Sequence, residues 1–477
     1  MNIRMKPGCV ALVAVLLISC RSPSGPLVSR RLSQNEMAPP PLRYQVGVDM
    51  WNRAQVAQPP PQSKPVAKWH HYPRFGGNVF VDTGNGVWYT QSNTNKRYDR
   101  IVRLKPDFSE DWSVILSPPP DATVSEAEPM IVLQDAVVCI ELFDTPGAKA
   151  SSVQQKDLDP NEPLTYLELT LINSGYLQCI DLKGRTRWRS EIFRCDGLTI
   201  AWLLPVNRIG IATKTQTESS LSRNEDFAIF SLEDGKLLES RPRLGFDATY
   251  PGNMPIMTPD GDYITYSSAW ADKDCYVGRV APDRTSRWQI DFPGDAIACS
   301  PCLSDSGVLL CGMRSALTAI NVDSGKIIWA RNKGRVNRAL GITFDGNFLC
   351  NSYAVVFDKM GRSSTTRSEL TLVDPAGTDI WSIDLPSFLG AGESHVIIYQ
   401  DNSILMGYAA GFSLLNPDGS VRWTVKEKDM GLDGDAELKM WNFNPCPDGG
   451  LVVYVFENVG TSEGQFHLIG FAPGPAM

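Results

Sequence analysis

A short turn followed, four residues after its last position, by a strand residue that is usually Trp recurs seven times along this chain, and that recurrence decides what the chain can fold into. The clearest copies are Asp181-Leu-Lys-Gly184 leading to Trp188, Val322-Asp-Ser-Gly325 to Trp329, Asp374-Pro-Ala-Gly377 to Trp381 and Asn416-Pro-Asp-Gly419 to Trp423. Weaker copies complete the series: Lys105-Pro-Asp-Phe108 leads to Trp112, Ala281-Pro-Asp-Arg284 to Trp288, and Leu232-Glu-Asp-Gly235 to Glu239, where the Trp is lost. Spacings of about 40 to 50 residues mark a radial or solenoidal array.

Each copy reads as strand, turn, strand. Asp or Asn at the first position, Pro at the second and Gly at the fourth is a type I turn whose Gly supplies the left-handed conformation that closes a hairpin with a bulge. A second hairpin lies upstream, with turns at Pro259-Asp-Gly261, Phe344-Asp-Gly346 and Pro447-Asp-Gly449. Two hairpins make a four-stranded sheet, strands A to D. One such sheet cannot bury both faces alone, so the copies must stack face to face around an axis as a β-propeller. The Trp residues on strand D, namely Trp112, Trp188, Trp288, Trp329, Trp381 and Trp423, are then structural plates between blades.

The unit resembles the repeat of the pyrroloquinoline-quinone-like β-propellers, with Leu317 to Trp329 as its nearest copy, and the resemblance spans residues 66–477. It implies an all-β propeller of four-stranded antiparallel blades. The seven D positions mark seven blades, and the C-terminus then adds one more A-B hairpin and a C strand without a D strand. Val66-Ala-Lys-Trp69 lies one blade length before Trp112, so Trp69 is expected to supply the missing outer strand and close an eight-bladed ring. Seven blades with residues 430–477 appended is the alternative.

The N-terminus carries a second signal. Asn2-Ile-Arg-Met-Lys6 is basic, Cys9 to Ile18 is an apolar run too short to span a bilayer, and Leu17-Ile-Ser-Cys20 follows. This resembles a bacterial lipoprotein signal peptide over residues 1–19, with Cys20 as the lipidated first residue; Arg21 beside it favours the outer membrane or cell surface. Residues 20–65 hold two Pro triplets and read as an extended tether, in which the apolar island Tyr44 to Met50 either docks on the propeller or belongs to the arm. The net charge of −8 becomes more acidic once Arg4 and Lys6 are removed, and no basic stripe remains to meet nucleic acid.

Chemistry is sparse. The four His (His70, His71, His395 and His467) have no zinc-type spacing, so no metal is expected. Removing Cys9 with the signal peptide and Cys20 to lipid leaves an odd number of Cys, which is no disulfide framework. Cys299-Ser-Pro-Cys302 falls where a strand A is expected and reads as structural thiols. Quinone-dependent dehydrogenases of the related fold carry a vicinal Cys-Cys pair and a calcium site; this chain has no Cys-Cys, and no cofactor is expected.

Loop lengths separate the two rims. The A-B and C-D turns are tight, whereas the B-C connections at 91–100, 144–163, 214–226, 267–274 and 353–368 are long. Trp270 lies in one of them and is a candidate interaction residue. The sequence therefore points to a non-enzymatic, membrane-tethered propeller lipoprotein that binds an envelope protein or polymer through its loop-rich rim. The alternative is a propeller-type quinone-dependent oxidoreductase. Mass spectrometry of detergent-extracted protein should find an acylated Cys20 at the N-terminus, and Cys20→Ala should abolish acylation and membrane sedimentation together.

Overall fold

A computed structural model describes residues 55–56, 60–71, 79–92, 98–115, 123–144, 174–194, 199–204, 207–216, 223–241, 256–266, 275–281, 285–299, 301–332, 336–357, 363–385, 396–408, 411–432, 437–458 and 465–472. They form eight antiparallel blades of four strands arranged as a β-propeller, with a single 3-10 turn at Glu427–Met430 among the described residues. Blades 1 to 7 occupy residues 80–115, 123–194, 199–241, 256–292, 302–332, 336–385 and 396–426. Blade 8 takes its A, B and C strands from Glu437–Pro445, Leu451–Asn458 and Gln465–Ala472, and its D strand from Val66–His71. Trp69 pairs with Gly470 there, so the ring closes between the two ends of the chain.

The A strands form the inner ring. Those of blades 1 and 2, 2 and 3, 5 and 6, 6 and 7, and 8 and 1 approach one another, and the A-B turns join hands: Thr83 donates to the Gln134 carbonyl (2.7 Å), and Asn402 accepts the Phe344 N–H (2.7 Å). The D strands form the outer wall and alternate exposed with half-buried residues, as in Asp379–Leu385. Between the blades lie clusters of buried Val, Ile, Leu and Phe, and the inner strands are buried without a break, as in Ser174–Asp181 and Val308–Gly312, the pattern of sheets covered on both faces.

Each Trp binds the blade that follows its own. The indole N–H donates to a turn carbonyl of the next blade: Trp112 to Leu182 (3.1 Å), Trp188 to Leu232 (2.9 Å), Trp288 to Val322 (2.8 Å), Trp329 to Pro375 (2.9 Å) and Trp381 to Pro417 (2.8 Å). The ring lies flat on the Gly of that same turn. A Cβ on Gly377, whose φ is +89°, would stand 2.9 Å from Trp329, and one on Gly419 2.8 Å from Trp381. The Gly thus serves both the backbone turn and the space for a neighbour's indole. At the joint between blades 8 and 1, Phe108 replaces Gly at φ +63° and meets Trp69 ring to ring, with centroids 6.2 Å apart.

Two departures from the sequence reading concern boundaries. Residues expected to be tether belong to the ring: Gln55–Val56 pairs in parallel with Val396–Tyr399 as a fifth strand on the inner edge of blade 7. Val56 is buried among Ile397, Tyr399 and Phe443, and the Pro61 carbonyl accepts the Trp423 N–H (3.1 Å), the position that a C-D turn fills in other blades. Blade 8 has no C-D turn of its own, and this segment stands in for it. Secondly, much of 214–226 and 353–368 is strand rather than loop, since pairing continues to Gln216↔Arg223 and Phe357↔Ser363.

Buried ion pairs reinforce two blades. In blade 1, Asp82 accepts from Arg103 Nε (2.7 Å), Trp88 Nε1 (2.7 Å) and the N–H groups of Gly84 and Gly86 (2.8 and 2.9 Å), while Arg103 also meets Asp111. In blade 4, Arg279 binds Asp262 (2.8 Å) and Asp260, then reaches across the joint to Asp323 (3.0 Å) and to the Val322 carbonyl (3.1 Å) that Trp288 also uses. Such networks are strongly destabilised when one partner is removed, because a charge is left buried and uncompensated. The stacked Gly makes a sharper test of the joint. Gly377→Ala should lower unfolding stability by about 1 to 3 kcal/mol, while Gly346→Ala, at φ +88° with open space around it, should cost only the backbone strain of about 1 kcal/mol. Denaturant titration of both variants reads the difference.

Candidate binding rim

Strand direction puts the A-B and C-D turns on one rim and the B-C and D-A connections on the other. Among the described residues the first rim is tight: its turns close with backbone bonds such as Gly377 N–H to the Asp374 carbonyl (3.0 Å) and Gly346 N–H to the Thr343 carbonyl (3.0 Å). The second rim is built of projecting hairpins. In blade 6, strands Phe348–Phe357 and Ser363–Val373 run past Val336, where strand A begins, so four further pairs from Ala354↔Arg367 to Phe357↔Ser363 stand clear of the A strand. In blade 3 three pairs, Lys214↔Glu225 to Gln216↔Arg223, extend beyond Thr199 in the same way. Ladder hydrogen bonds hold these projecting strand pairs in register with the blades they extend.

Where the hairpins leave the ring, polar side chains replace apolar ones in the interblade layers. Asn337, fully buried, donates to the Met313 carbonyl (3.3 Å) and accepts from Ser352 Oγ (2.8 Å); Asn351 donates to Ser368 Oγ (2.7 Å) and the Glu369 carbonyl (3.2 Å). In blade 2, on the face away from Trp188, Glu141 accepts the Tyr176 hydroxyl, and Arg189 lies over the Tyr176 ring at 4.3 Å from its centroid while donating to Gln178 (3.1 Å). Glu141 is 1% exposed, and its second carboxyl oxygen has no hydrogen-bond partner. Burial lifts its pKa above the usual carboxylate range, against the lowering effects of the Tyr176 hydroxyl and Arg189.

The residues singled out from sequence fall into separate regions. Cys20 and Trp270 lie outside the described residues, as does His395. Trp69, Trp112, Trp188, Trp288, Trp329, Trp381 and Trp423 are joint residues between blades rather than a converging site. His70 and His71 lie in the closing strand, and His467 is buried in strand C of blade 8. Cys302 begins strand A of blade 5, but Cys299 lies ahead of that strand, where its sulfur accepts the Ala339 N–H at 3.1 Å. Burial pushes the Cys299 thiol above its ordinary range, the reverse of what a redox thiol needs. No group of three or more His, Cys, Asp or Glu that could hold a metal occurs among the described residues. The buried polar layer was not anticipated; Asn337, Ser352 and Glu141 each interrupt an apolar strand pattern, which is the signal that marks them.

No family model matches the chain, and no curated protein matches it in sequence. Among solved structures it is similar to a protein of unknown function from Bacteroides caccae, at 12% identity and a TM-score of 0.31 over 71% of this chain and 93% of that one. It is also similar to KlHsv2 with loop 6CD replaced by a Gly-Ser linker, at 9% identity and a TM-score of 0.38 over 76% of this chain and 98% of that one. Neither bears on function.

The buried Glu141 yields a pH prediction. A carboxyl whose pKa is raised on folding stabilises the fold fully below the unfolded value and loses that contribution as pH rises through the folded value. Glu141→Gln should therefore flatten the stability profile above the usual Glu range and be more stable than the parent at pH 8 by about 1 kcal/mol. Thermal melts between pH 4 and 9 check both the sign and the window.

Proposed function

We propose that this chain is a non-enzymatic, lipid-anchored β-propeller of the bacterial cell envelope, belonging to the pyrroloquinoline-quinone-like repeat class, which holds a partner protein or polymer on its hairpin-bearing rim. The observation that carries the reading is the asymmetry of the two rims. One is closed by tight turns throughout its described length, while the other projects hydrogen-bonded strand pairs from blades 3 and 6. A scaffold of this kind offers a wide surface fixed by the ring beneath it and needs no chemistry of its own. The N-terminal lipoprotein signature supports an envelope location, with Cys20 attached to the membrane and the segment before Gln55 as the connection.

Crosslinking in intact cells followed by purification tests the rim. The full-length protein is expected to capture an envelope component that is lost when the blade 6 hairpin is cut back to Ala354 and Arg367 with a two-residue turn, while the melting profile stays cooperative. A capture pattern unchanged by shortening the hairpins of both blades 3 and 6 would remove the rim from consideration. The quinone-dependent alternative rests on the repeat resemblance. Incubation of the purified protein with pyrroloquinoline quinone and calcium is expected to give neither retained quinone nor dye reduction with alcohols or sugars. Reproducible turnover would establish the oxidoreductase instead.

A further inference from the structure

Three arginines are buried among the described residues, and they are not treated alike. Arg103 and Arg279, 9% and 5% exposed, are each enclosed by two or three carboxylates. Arg338, 7% exposed, meets none among the described residues. Its guanidinium lies over the Tyr353 ring, 5.3 Å from the centroid, and its Nε has no hydrogen-bond partner. Asn351, directly opposite in the neighbouring strand, has a carboxamide oxygen equally without a partner.

This arrangement is costly as it stands. A guanidinium cannot discard its proton to become neutral, so at any ordinary pH Arg338 is a cation withdrawn from water. The desolvation of such an ion amounts to several kcal/mol, and a cation–π contact of about 1 to 2 kcal/mol does not offset it. The location adds to the argument. Arg338 is the third residue of strand A in blade 6, in the inner ring, at the end of the strand nearest the hairpin rim and on the face turned toward blade 7. Val336 pairs with Tyr353 one step nearer that rim, so the stacked guanidinium lies just inside its inner edge. The planar fork of donors matches two oxygens of one carboxylate or phosphate group.

We propose that Arg338, seated on Tyr353, is an anion-binding site at the inner edge of the hairpin rim, taking a carboxylate or phosphate group. The proposal is independent of the lipid anchor and of any partner on the outer hairpins.

Thermal unfolding of the purified full-length protein tests it, with sodium phosphate, acetate or succinate titrated against sodium chloride at constant ionic strength. The expected result is a saturable rise in Tm of about 2 °C or more with phosphate or with a carboxylate, absent with chloride. A response to phosphate alone or to the carboxylates alone identifies which group the site prefers. Arg338→Met keeps an apolar stem over Tyr353 and removes the charge; it should lose the response and be no less stable than the parent in chloride. Arg338→Lys, a cation without the fork, should keep at most a tenth of the affinity. A parent protein indifferent to all three anions, or an Arg338→Met protein that responds like the parent, overturns the site.

Discussion

An indole lying on the α-carbon of a glycine, one blade away, is the contact on which the rest of this molecule depends. It fixes three things at once. The ring sets the spacing between blades, its N–H fixes their vertical register through one carbonyl, and the glycine holds the left-handed turn that sends the outer strand back down the wall. A hydrogen bond of this kind contributes about 0.5 to 1.5 kcal/mol net, so no single joint is decisive, but the same geometry recurs around the circle. Blades that individually expose both faces become stable only as neighbours. The long hairpins can project from one side because the other side is fastened.

The repeat was legible because its period exposes the joint, although the Gly and Trp of one copy never touch each other. They belong to successive joints, each finding its counterpart in the adjacent copy. That reading also explains copies that looked degraded. Phe108 occupies a Gly position, and the residue set against it is Trp69, so an aromatic pair replaces the indole-on-glycine stack at the closing joint. Glu239 replaces a Trp in one copy, and in the next copy of the repeat Arg284, outside the described residues, replaces the Gly. At the closing joint the irregularity in the sequence is a matched pair, visible only once the partner is taken from the neighbouring copy.

What could not be read has physical causes too. Gln55–Val56 carries no strand signature because two residues have no period, and its partner strand is remote in sequence. The projecting part of blade 3, Lys214 to Gln216 against Arg223 to Glu225, and the returning strand of the blade 6 hairpin, Ser363 to Arg367, are polar or charged, and composition alone makes such strands resemble loops, although Ala354 to Phe357 opposite is apolar. The closing strand was legible because Trp69 repeats the D-strand signal. The buried polar layer beneath the rim was not. Whether a buried Arg is neutralised is decided by side chains from other strands: Asp82 and Asp262 come from A-B turns that nothing in the sequence near Arg103 or Arg279 announces, and Arg338 reads no differently from either.

The clasp that closes the ring joins Pro61 to Trp423 across 362 residues of sequence. A ribosome adding about 5 to 20 residues per second takes about 20 to 70 s to cover that distance. Throughout that interval the strand bearing Trp69 is already made and has no sheet to join, while blades 1 to 7 assemble with an open edge at each end. Contacts so distant in sequence form late and slowly. The chain must therefore pass through an unclosed arc whose edges are competent to pair with any extended segment nearby. For this architecture the hazard of misassembly is concentrated in the interval before the last blade emerges, and a factor that shields the first-made strand would act there rather than on the finished ring.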